Sequence, residues 1–209
     1  MKLIVGKTDI EDRLLDSADR LLARYGYRKM TMDDLANEVG IGKGTIYLHF
    51  RSKEDLVLSH IDRVMRRVIN HLQNISAGSA EQGEKIRAML IARVMHRFDS
   101  VQHFTESLSE VLRDLRPGVL ERREHYFEAE ARVFAAALRK GQNRGEFRRR
   151  DCFTTAHALI TATNALLPFN LSTRELGKRS EVEERTGRIA DLLLKGLVKA
   201  EAAAKRPNR

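Results

Sequence analysis

Hydrophobic side chains recur every three to four residues along most of the chain, which is the spacing of one face of an α-helix. The first run, marked by Ile10, Leu14, Ala18 and Leu21, ends at Gly26. Strict alternation of polar and apolar residues, which indicates β-strands, is absent, and only 3 prolines occur. The pattern therefore predicts an all-α protein of about nine helices.

Capping signals locate the helices near the N-terminus. Thr31 with Asp34, and Ser52 with Asp55, have the spacing at which a hydroxyl side chain caps a helix and an acid three residues later completes the cap. Gly40 stands between two such helices, where we expect a positive φ. We predict a second helix after Thr31, a short third helix from about residue 43 to 50, and a fourth helix from Ser52 to about residue 76.

The composition indicates a folded, water-soluble chain. Of its 209 residues 42% are hydrophobic and 32% charged, and no apolar run is long enough to cross a membrane. Residues 1–7 lack the apolar core of a signal peptide. We therefore expect a cytoplasmic protein without a membrane partner. The single cysteine, Cys152, excludes an internal disulfide and a thiolate metal site, and we expect it to be a small buried residue.

The net charge of +9 suggests a nucleic-acid partner, but its distribution weakens that argument. Residues 1–72 contain 13 basic and 11 acidic side chains, so most of the excess lies further along the chain. A local feature is more informative. From Gly40 to Lys53 the sequence contains Lys43, His49, Arg51 and Lys53 but no acidic residue, which favours phosphate binding.

The segment Thr31–Phe50 has the parts of a helix-turn-helix, the DNA-binding element whose second helix enters the major groove. Small and apolar positions such as Ala36 can face inward on the first helix, and Gly40 can make the turn. Ile46 and Phe50, four residues apart, can anchor the second helix. That arrangement leaves a group of side chains for DNA: Lys43, Gly44, Thr45, Tyr47, Leu48 and His49.

The stretch from Thr31 to Leu56, TMDDLANEVGIGKGTIYLHFRSKEDL, resembles the TetR family of bacterial repressors. The resemblance extends over roughly Ile10–Leu72. Beyond it, only the number of helices, the chain length and the segment Gly145–Phe147 before the eighth helix support it. One departure is Gly42, where the family often has serine or threonine, so that the recognition helix lacks a side-chain N-cap. Glycine there costs only a few tenths of a kcal/mol.

The resemblance implies a role for each DNA-facing residue. Thr31, Tyr47, His49 and Lys53 would contact backbone phosphates and set the register. Three further residues, Lys43, Gly44 and Thr45, would face base edges, where Lys43 can donate to guanine and the Thr45 methyl can contact thymine. Other interpretations are a half-core Tyr47, a Lys53 that only solvates the fourth helix, and a His49 that is an ordinary surface histidine.

The resemblance also implies two domains. Residues 1–52 would form the DNA-binding domain, a connecting helix would span about residues 52–76, and residues 77–209 would form a helical domain for ligand binding and dimerisation. Its last two helices offer more apolar surface than one chain readily covers. We therefore expect a homodimer on a palindromic operator. The candidate interface residues are Phe153, Leu159, Ile160, Leu166, Leu167, Ile189, Leu192, Leu193 and Leu197.

Apolar and aromatic residues between 89 and 134 could line a pocket for an apolar small-molecule effector, with Arg93 and His96 to orient it. Most helix faces with such apolar residues are instead part of an ordinary hydrophobic core. The candidates are Met89, Arg93, His96, Phe98, Phe104, Leu108, Tyr126, Phe127 and Phe134.

Metal binding by His96, Asp99 and His103 would need a continuous helix between the histidines, and surface histidines explain the pattern better. We expect no metal and no cofactor. The arginines between 144 and 150 are interpreted as a solvated loop.

These features predict a ligand-responsive, sequence-specific DNA-binding regulator that represses transcription until a small molecule releases it. Two alternatives remain open at this point. One is a DNA-binding adaptor whose C-terminal half only dimerises or recruits partners. The other is an enzyme on a helical bundle, against which stands the absence of a nucleophile–base set, a phosphate-binding glycine loop, paired carboxylates or zinc-ligand spacing in the sequence.

Overall fold

The computed structural model describes residues 7–101, 107–167 and 173–198. Within these ranges the chain is helical apart from its connections, and one antiparallel backbone bridge joins Phe147 to Val198. None of the described helices is both long and apolar enough to span a membrane. The helices are α1 (Lys7–Lys29), α2 (Met32–Val39), α3 (Lys43–Tyr47), α4 (Lys53–Ala77), α5 (Gln82–Val101), α6 (Ser107–Asp114), α7 (Arg116–Asn143), α8 (Cys152–Ala162), a 3₁₀ turn (Asn164–Leu166), α9 (Thr173–Leu176) and α10 (Arg179–Lys195). The predicted all-α class is confirmed.

Local signals place the helix ends near the N-terminus. Gly26 interrupts α1 with φ 76° and ψ 167°, as the sequence predicts. Thr31 caps α2, and Gly40, with φ 74°, ends it in the left-handed conformation. The Ser52 hydroxyl accepts a hydrogen bond from the Asp55 amide at the start of α4. These positions follow from side-chain chemistry within three or four residues.

The C-terminal helices differ from the predicted ones. The predicted helix from about 151 to 167 ends as an α-helix at Ala162, because the buried Thr163 hydroxyl donates to the Ile160 carbonyl and the chain tightens into the 3₁₀ turn. The last helix, predicted over about 181–203, runs from Arg179 to Lys195 within the described residues. Residues 199–209 lie outside them.

The chain divides into two compact units, and three of its helices, α4, α5 and α7, contribute residues to both. Unit 1 comprises Met1–Arg67, Phe98–Tyr126 and Pro168–Leu176; unit 2 comprises Val68–Arg97, Phe127–Leu167 and Gly177–Arg209. Both units are therefore assembled from segments distant in sequence. The predicted boundary near residue 77 separates a DNA-binding part from a part for ligand binding and dimerisation. This division by function stays a prediction.

The core of unit 1 joins the predicted helix-turn-helix to later helices. Leu14, Leu35 and Ile46 are fully buried there. Val111 of α6 and Val119 of α7 belong to the same cluster. Residues from the second half of the chain thus complete the core on which the helix-turn-helix rests.

The largely apolar core of unit 2 contains a buried ionic cluster. Glu130 is fully buried, and its two carboxylate oxygens accept from Arg93 Nε at 2.7 Å and from Arg97 Nη2. Arg93 also donates to the Thr163 hydroxyl at 3.1 Å and to Asn164 Oδ1 at 2.8 Å, which ties α5 to the end of α8. Burial raises the pKa of Glu130, but Arg97 and Arg93 outweigh it, and the pKa is lowered from its ordinary value.

Candidate nucleic-acid interface

The turn between α2 and α3 is set by glycine backbone geometry. The Gly40 and Ile41 amides both donate to the Ala36 carbonyl, at 2.9 and 3.1 Å. Gly40 adopts φ 74° and ψ 37°, a conformation that a side chain would strain. Gly42 is the N-cap of α3 and supplies no side-chain hydrogen bond. The turn has the form that the sequence predicted.

Helix α3 is anchored on one side and exposed on the other. Ile46 is fully buried and Phe50 is 5% exposed, so both fix the helix to the core of unit 1. In contrast, Leu48 is 81% exposed and Tyr47 is 46% exposed. Tyr47, the last residue of α3, and Leu48, its C-cap, thus form an exposed apolar surface that a partner can cover.

Lys43, at the first position of α3, forms an ion pair with α2. Its Nζ lies 2.7 Å from Asp33 Oδ2, and both side chains are about half exposed or more. The hydrogen bond that Lys43 donates to the Asp33 carboxylate raises the pKa of Lys43 above its ordinary value. The ammonium is therefore charged and close to solvent, and it can exchange this single carboxylate partner for an acceptor on DNA.

Gly44 lies on the exposed face of α3 and has empty space beside it. A Cβ built at this position would meet no atom within 4 Å, and its φ is not in the left-handed region. The fold of this chain therefore does not require glycine here. A glycine in the second position of a helix instead suits a close approach of another molecule to the backbone.

The Thr31 hydroxyl is engaged within the protein. It accepts from the Asp34 amide at 3.1 Å and donates to Asp34 Oδ2 at 2.6 Å, while the Thr31 amide donates to the same oxygen at 2.9 Å. These bonds lower the pKa of Asp34 from its ordinary value. Thr31 is thus a helix cap, and a phosphate contact would use its neighbouring amides rather than a free hydroxyl.

His49 and Lys53 are also held by protein groups. The His49 ring is 8% exposed, and its Nδ1 lies 3.2 Å from Glu11 Oε1 of α1. Lys53 Nζ donates to the carbonyls of Tyr27 and Met30 at 2.9 and 3.2 Å. His49 thus joins α1 to the segment that follows α3, and Lys53 joins the start of α4 to residues 27–30.

The strip from Gly40 to Lys53, which contains no acidic residue, is contacted by acidic side chains from outside it. Asp33 pairs with Lys43 and Glu11 with His49. The Arg51 amide donates to Asp55 at 2.9 Å. Sequence reasoning missed these partners because they lie outside the strip; only the Arg51–Asp55 contact, four residues apart, follows from a local capping signal.

The predicted effector-pocket residues are divided between the two units. Phe98 and Tyr126 are buried in unit 1, where the Tyr126 hydroxyl donates to the Asp62 carbonyl at 3.4 Å. The remaining described ones lie in unit 2: Met89, Arg93, His96, Phe127 and Phe134. Phe104 lies outside the described residues, as does the side chain of Leu108. The Arg93 guanidinium is taken up by the ionic cluster with Glu130. The pocket itself stays a prediction.

The predicted dimer residues fall into three classes of exposure. Leu159, Ile160, Leu166, Leu167 and Leu197 are buried by their own chain. Ile189 and Leu193 are half-buried. Phe153 of α8 is 41% exposed and Leu192 of α10 is 69% exposed. Unit 2 therefore covers much of the apolar surface from which a dimer was predicted, and Phe153 and Leu192 remain as its most exposed members.

Metal-binding side chains do not gather in the part of the chain that the structure describes. No group of three or more His, Cys, Asp or Glu side chains there could hold a metal ion. His103, one of the considered ligands, lies outside the described residues. Cys152 is buried, as expected.

Comparison with known proteins agrees with the geometry of this site. Residues 14–59 match the family model of bacterial regulatory proteins, tetR family. An HTH-type transcriptional regulator of Bacillus subtilis (strain 168), YerO, is 36% identical over 75 residues, which are 36% of this chain and 26% of that protein. The HTH-type transcriptional repressor KstR2 of Rhodococcus jostii is 33% identical over 96 residues, 46% of this chain and 45% of that protein. The matches thus span less than half of these relatives.

The likeness to solved structures covers nearly the whole chain. A transcriptional regulator of the TetR/AcrR family from Thermobifida fusca YX-ER1 has a TM-score of 0.64 and 26% sequence identity, covering 90% of this chain and 98% of that one. The fold of the helix-turn-helix and of the later helices is therefore one that is known among transcriptional regulators.

Proposed function

Because the chain belongs to the tetR family of bacterial regulatory proteins, we propose that it binds a palindromic DNA operator as a homodimer and represses transcription. The observation that carries this proposal is the outward face of α3, anchored from behind by buried Ile46 and Phe50. The family assignment agrees with the expectation of a regulator rather than an enzyme. Repression is supported by the relative that is named as a repressor.

Within this proposal the DNA contacts are concentrated on α3. Lys43, Gly44 and Thr45 face base edges from its first turn. Tyr47 contacts a phosphate, and exposed Leu48 packs beside it. His49 acts mainly by fixing α3 to α1 through Glu11.

Replacing Lys43 by glutamine is expected to weaken operator binding by about 1–3 kcal/mol and to relax preference at one base pair, because the ammonium is a donor to a base edge. The lost ion pair with Asp33 is exposed to solvent and therefore adds little to stability. Binding is measured by fluorescence anisotropy against a set of operator variants at fixed salt concentration.

Two variants serve as controls for the change of charge. Lys140→Gln removes an exposed lysine from α7 in unit 2 and should leave operator preference unchanged. Asp33→Asn frees Lys43 from its partner and should bind the operator as tightly as the native protein or more tightly. Equal weakening of Lys43→Gln on every DNA sequence would instead identify Lys43 as a phosphate contact.

Within this proposal, α8 and α10 form the interface of the homodimer. Replacing Leu192 by glutamate is expected to weaken self-association tenfold or more, about 1.4 kcal/mol, since a charge would replace an exposed leucine in the interface. Light scattering at micromolar concentration measures the mass. Leu120→Glu on α7, at a 44% exposed leucine outside the predicted interface, is the matched control. A native protein with the mass of one chain would contradict the dimer.

The regulating signal is proposed to be an apolar small molecule that releases the protein from its operator. This part rests on the family resemblance and on the apolar candidates of unit 2, among which Met89 and Phe134 are fully buried. Arg93 is not proposed as its ligand, because its guanidinium holds Glu130, Thr163 and Asn164.

A further inference from the structure

The segment Tyr27–Met30, which runs from the Gly26 interruption of α1 towards the start of α2, is held from the start of α4. Lys53 Nζ donates to the Tyr27 carbonyl at 2.9 Å and to the Met30 carbonyl at 3.2 Å, and lies 3.5 Å from the Arg28 carbonyl. The same ammonium lies 4.5 Å from the centre of the Tyr27 ring. One charged group thus gathers three carbonyls and an aromatic face around it, and few of its donor directions remain for DNA.

The same segment is held from α6 by a second set of charges. Arg28 Nε and Nη2 donate to the two carboxylate oxygens of Asp114, at 3.0 and 3.3 Å. The Arg28 amide donates to Glu110 Oε2 at 3.3 Å. A two-point contact between a guanidinium and a carboxylate fixes direction as well as distance.

The held segment leads directly into the DNA-reading element. Met30, fully buried, is followed by Thr31, the cap of α2, and α2 passes through the Gly40 turn into α3. Any shift of residues 27–30 therefore moves the start of the helix-turn-helix. Resting on the proposed function, we propose that Arg28, Lys53 and Asp114 are positioning residues for operator recognition. We call these three residues the junction clasp.

The junction clasp and a purely electrostatic role predict opposite changes in operator affinity when the charge of Asp114 is removed. Asp114 is an anion, and its removal makes the protein more positive, which by electrostatics alone strengthens binding to any DNA. If Asp114 positions the helix-turn-helix, its removal weakens binding to the operator instead. The two explanations thus give opposite results for the same variant.

The test compares Asp114→Asn with the native protein on operator DNA and on an unrelated duplex of equal length. We expect operator affinity to fall about two- to fivefold, the size of effect of one exposed ion pair, and affinity for the unrelated duplex to stay equal or rise. Glu128→Gln, which neutralises an exposed acid paired with Arg132 on α7 of unit 2, is the matched control and should not lose operator affinity.

Charge reversal tests the pairing itself. Arg28→Glu alone should lose operator affinity, and addition of Asp114→Arg should restore part of it. Thermal melting of each variant, followed by circular dichroism, separates loss of positioning from loss of fold. The proposed clasp is wrong if both single variants lower operator affinity and the double variant restores none of it. It is also wrong if Asp114→Asn binds the operator as tightly as the native protein.

For Lys53, the salt dependence of operator binding distinguishes a positioning role from a phosphate contact. If it positions the junction, Lys53→Gln lowers operator affinity and leaves the dependence of log Kd on log salt unchanged. If it binds a phosphate, as the family resemblance implies, that slope falls by about one. Failure of the proposed function has a different outcome from either: the native protein would then show no preference for any DNA sequence in a selection from random duplexes.

Discussion

Replacing Glu130 by glutamine is expected to lower the free energy of unfolding by about 3–5 kcal/mol, the usual cost of removing one partner from a buried ion pair. Glu130 is the carboxylate between Arg93 and Arg97, and both guanidinium groups are almost fully buried. Without its charge, two cations would remain in the core of unit 2. Urea unfolding followed by circular dichroism, at a fixed protein concentration, measures the difference.

Two further variants show whether charge is the cause. Glu128→Gln, two residues earlier on α7, removes an exposed partner of Arg132 and should change stability by less than about 1 kcal/mol. Arg97→Met should cost less than Glu130→Gln, because it leaves a neutral Arg93–Glu130 pair and removes a buried Nε that has no hydrogen-bond partner. Equal losses for Glu128→Gln and Glu130→Gln would contradict the ionic explanation.

The pH dependence of this difference follows from the direction of the pKa shift. The folded protein holds the pKa of Glu130 below its ordinary value of 4.5, so the carboxylate stabilises the folded state above that pH. Its contribution is lost as the pH falls through the lowered pKa. The gap in stability between the native protein and Glu130→Gln should therefore be full at neutral pH and shrink under acid conditions.

Replacing Gly44 by alanine is expected to weaken operator binding tenfold or more without loss of stability, and this is the second large effect. A Cβ at Gly44 meets nothing in the protein, so alanine should stabilise α3 by up to about 1 kcal/mol through helix propensity. On DNA the same methyl group would project from the exposed face of the recognition helix. Because Lys43 and Thr45 are proposed to reach base edges from the same turn, little space remains there for it.

Gly83→Ala on α5 is the matched control, since a Cβ at Gly83 also meets nothing within 4 Å and the site lies in unit 2. It should share the gain in stability and keep operator affinity. Thermal melting and fluorescence anisotropy on the same preparations give both quantities. If Gly44→Ala binds the operator as the native protein does, the backbone of α3 does not approach the bases at this position.

The sequence by itself determined the local features of this protein. Helical periodicity predicted the all-α class, and capping chemistry predicted the starts of α2 and α4 at Thr31 and Ser52. Gly40 predicted the turn, which has a positive φ. Each of these depends on groups within four residues, so the chain carries the information without a tertiary context.

The partners of charged side chains were decided only by the tertiary structure. Asp33 meets Lys43, Glu11 meets His49, and Asp114 meets Arg28 across 10, 38 and 86 residues of sequence. The family resemblance implied phosphate contacts for His49 and Lys53, and the fold places their polar atoms against Glu11 and against the carbonyls of Tyr27 and Met30. Periodicity shows which face of a helix is buried, but not which charge on a distant helix lies opposite, because packing alone sets that distance.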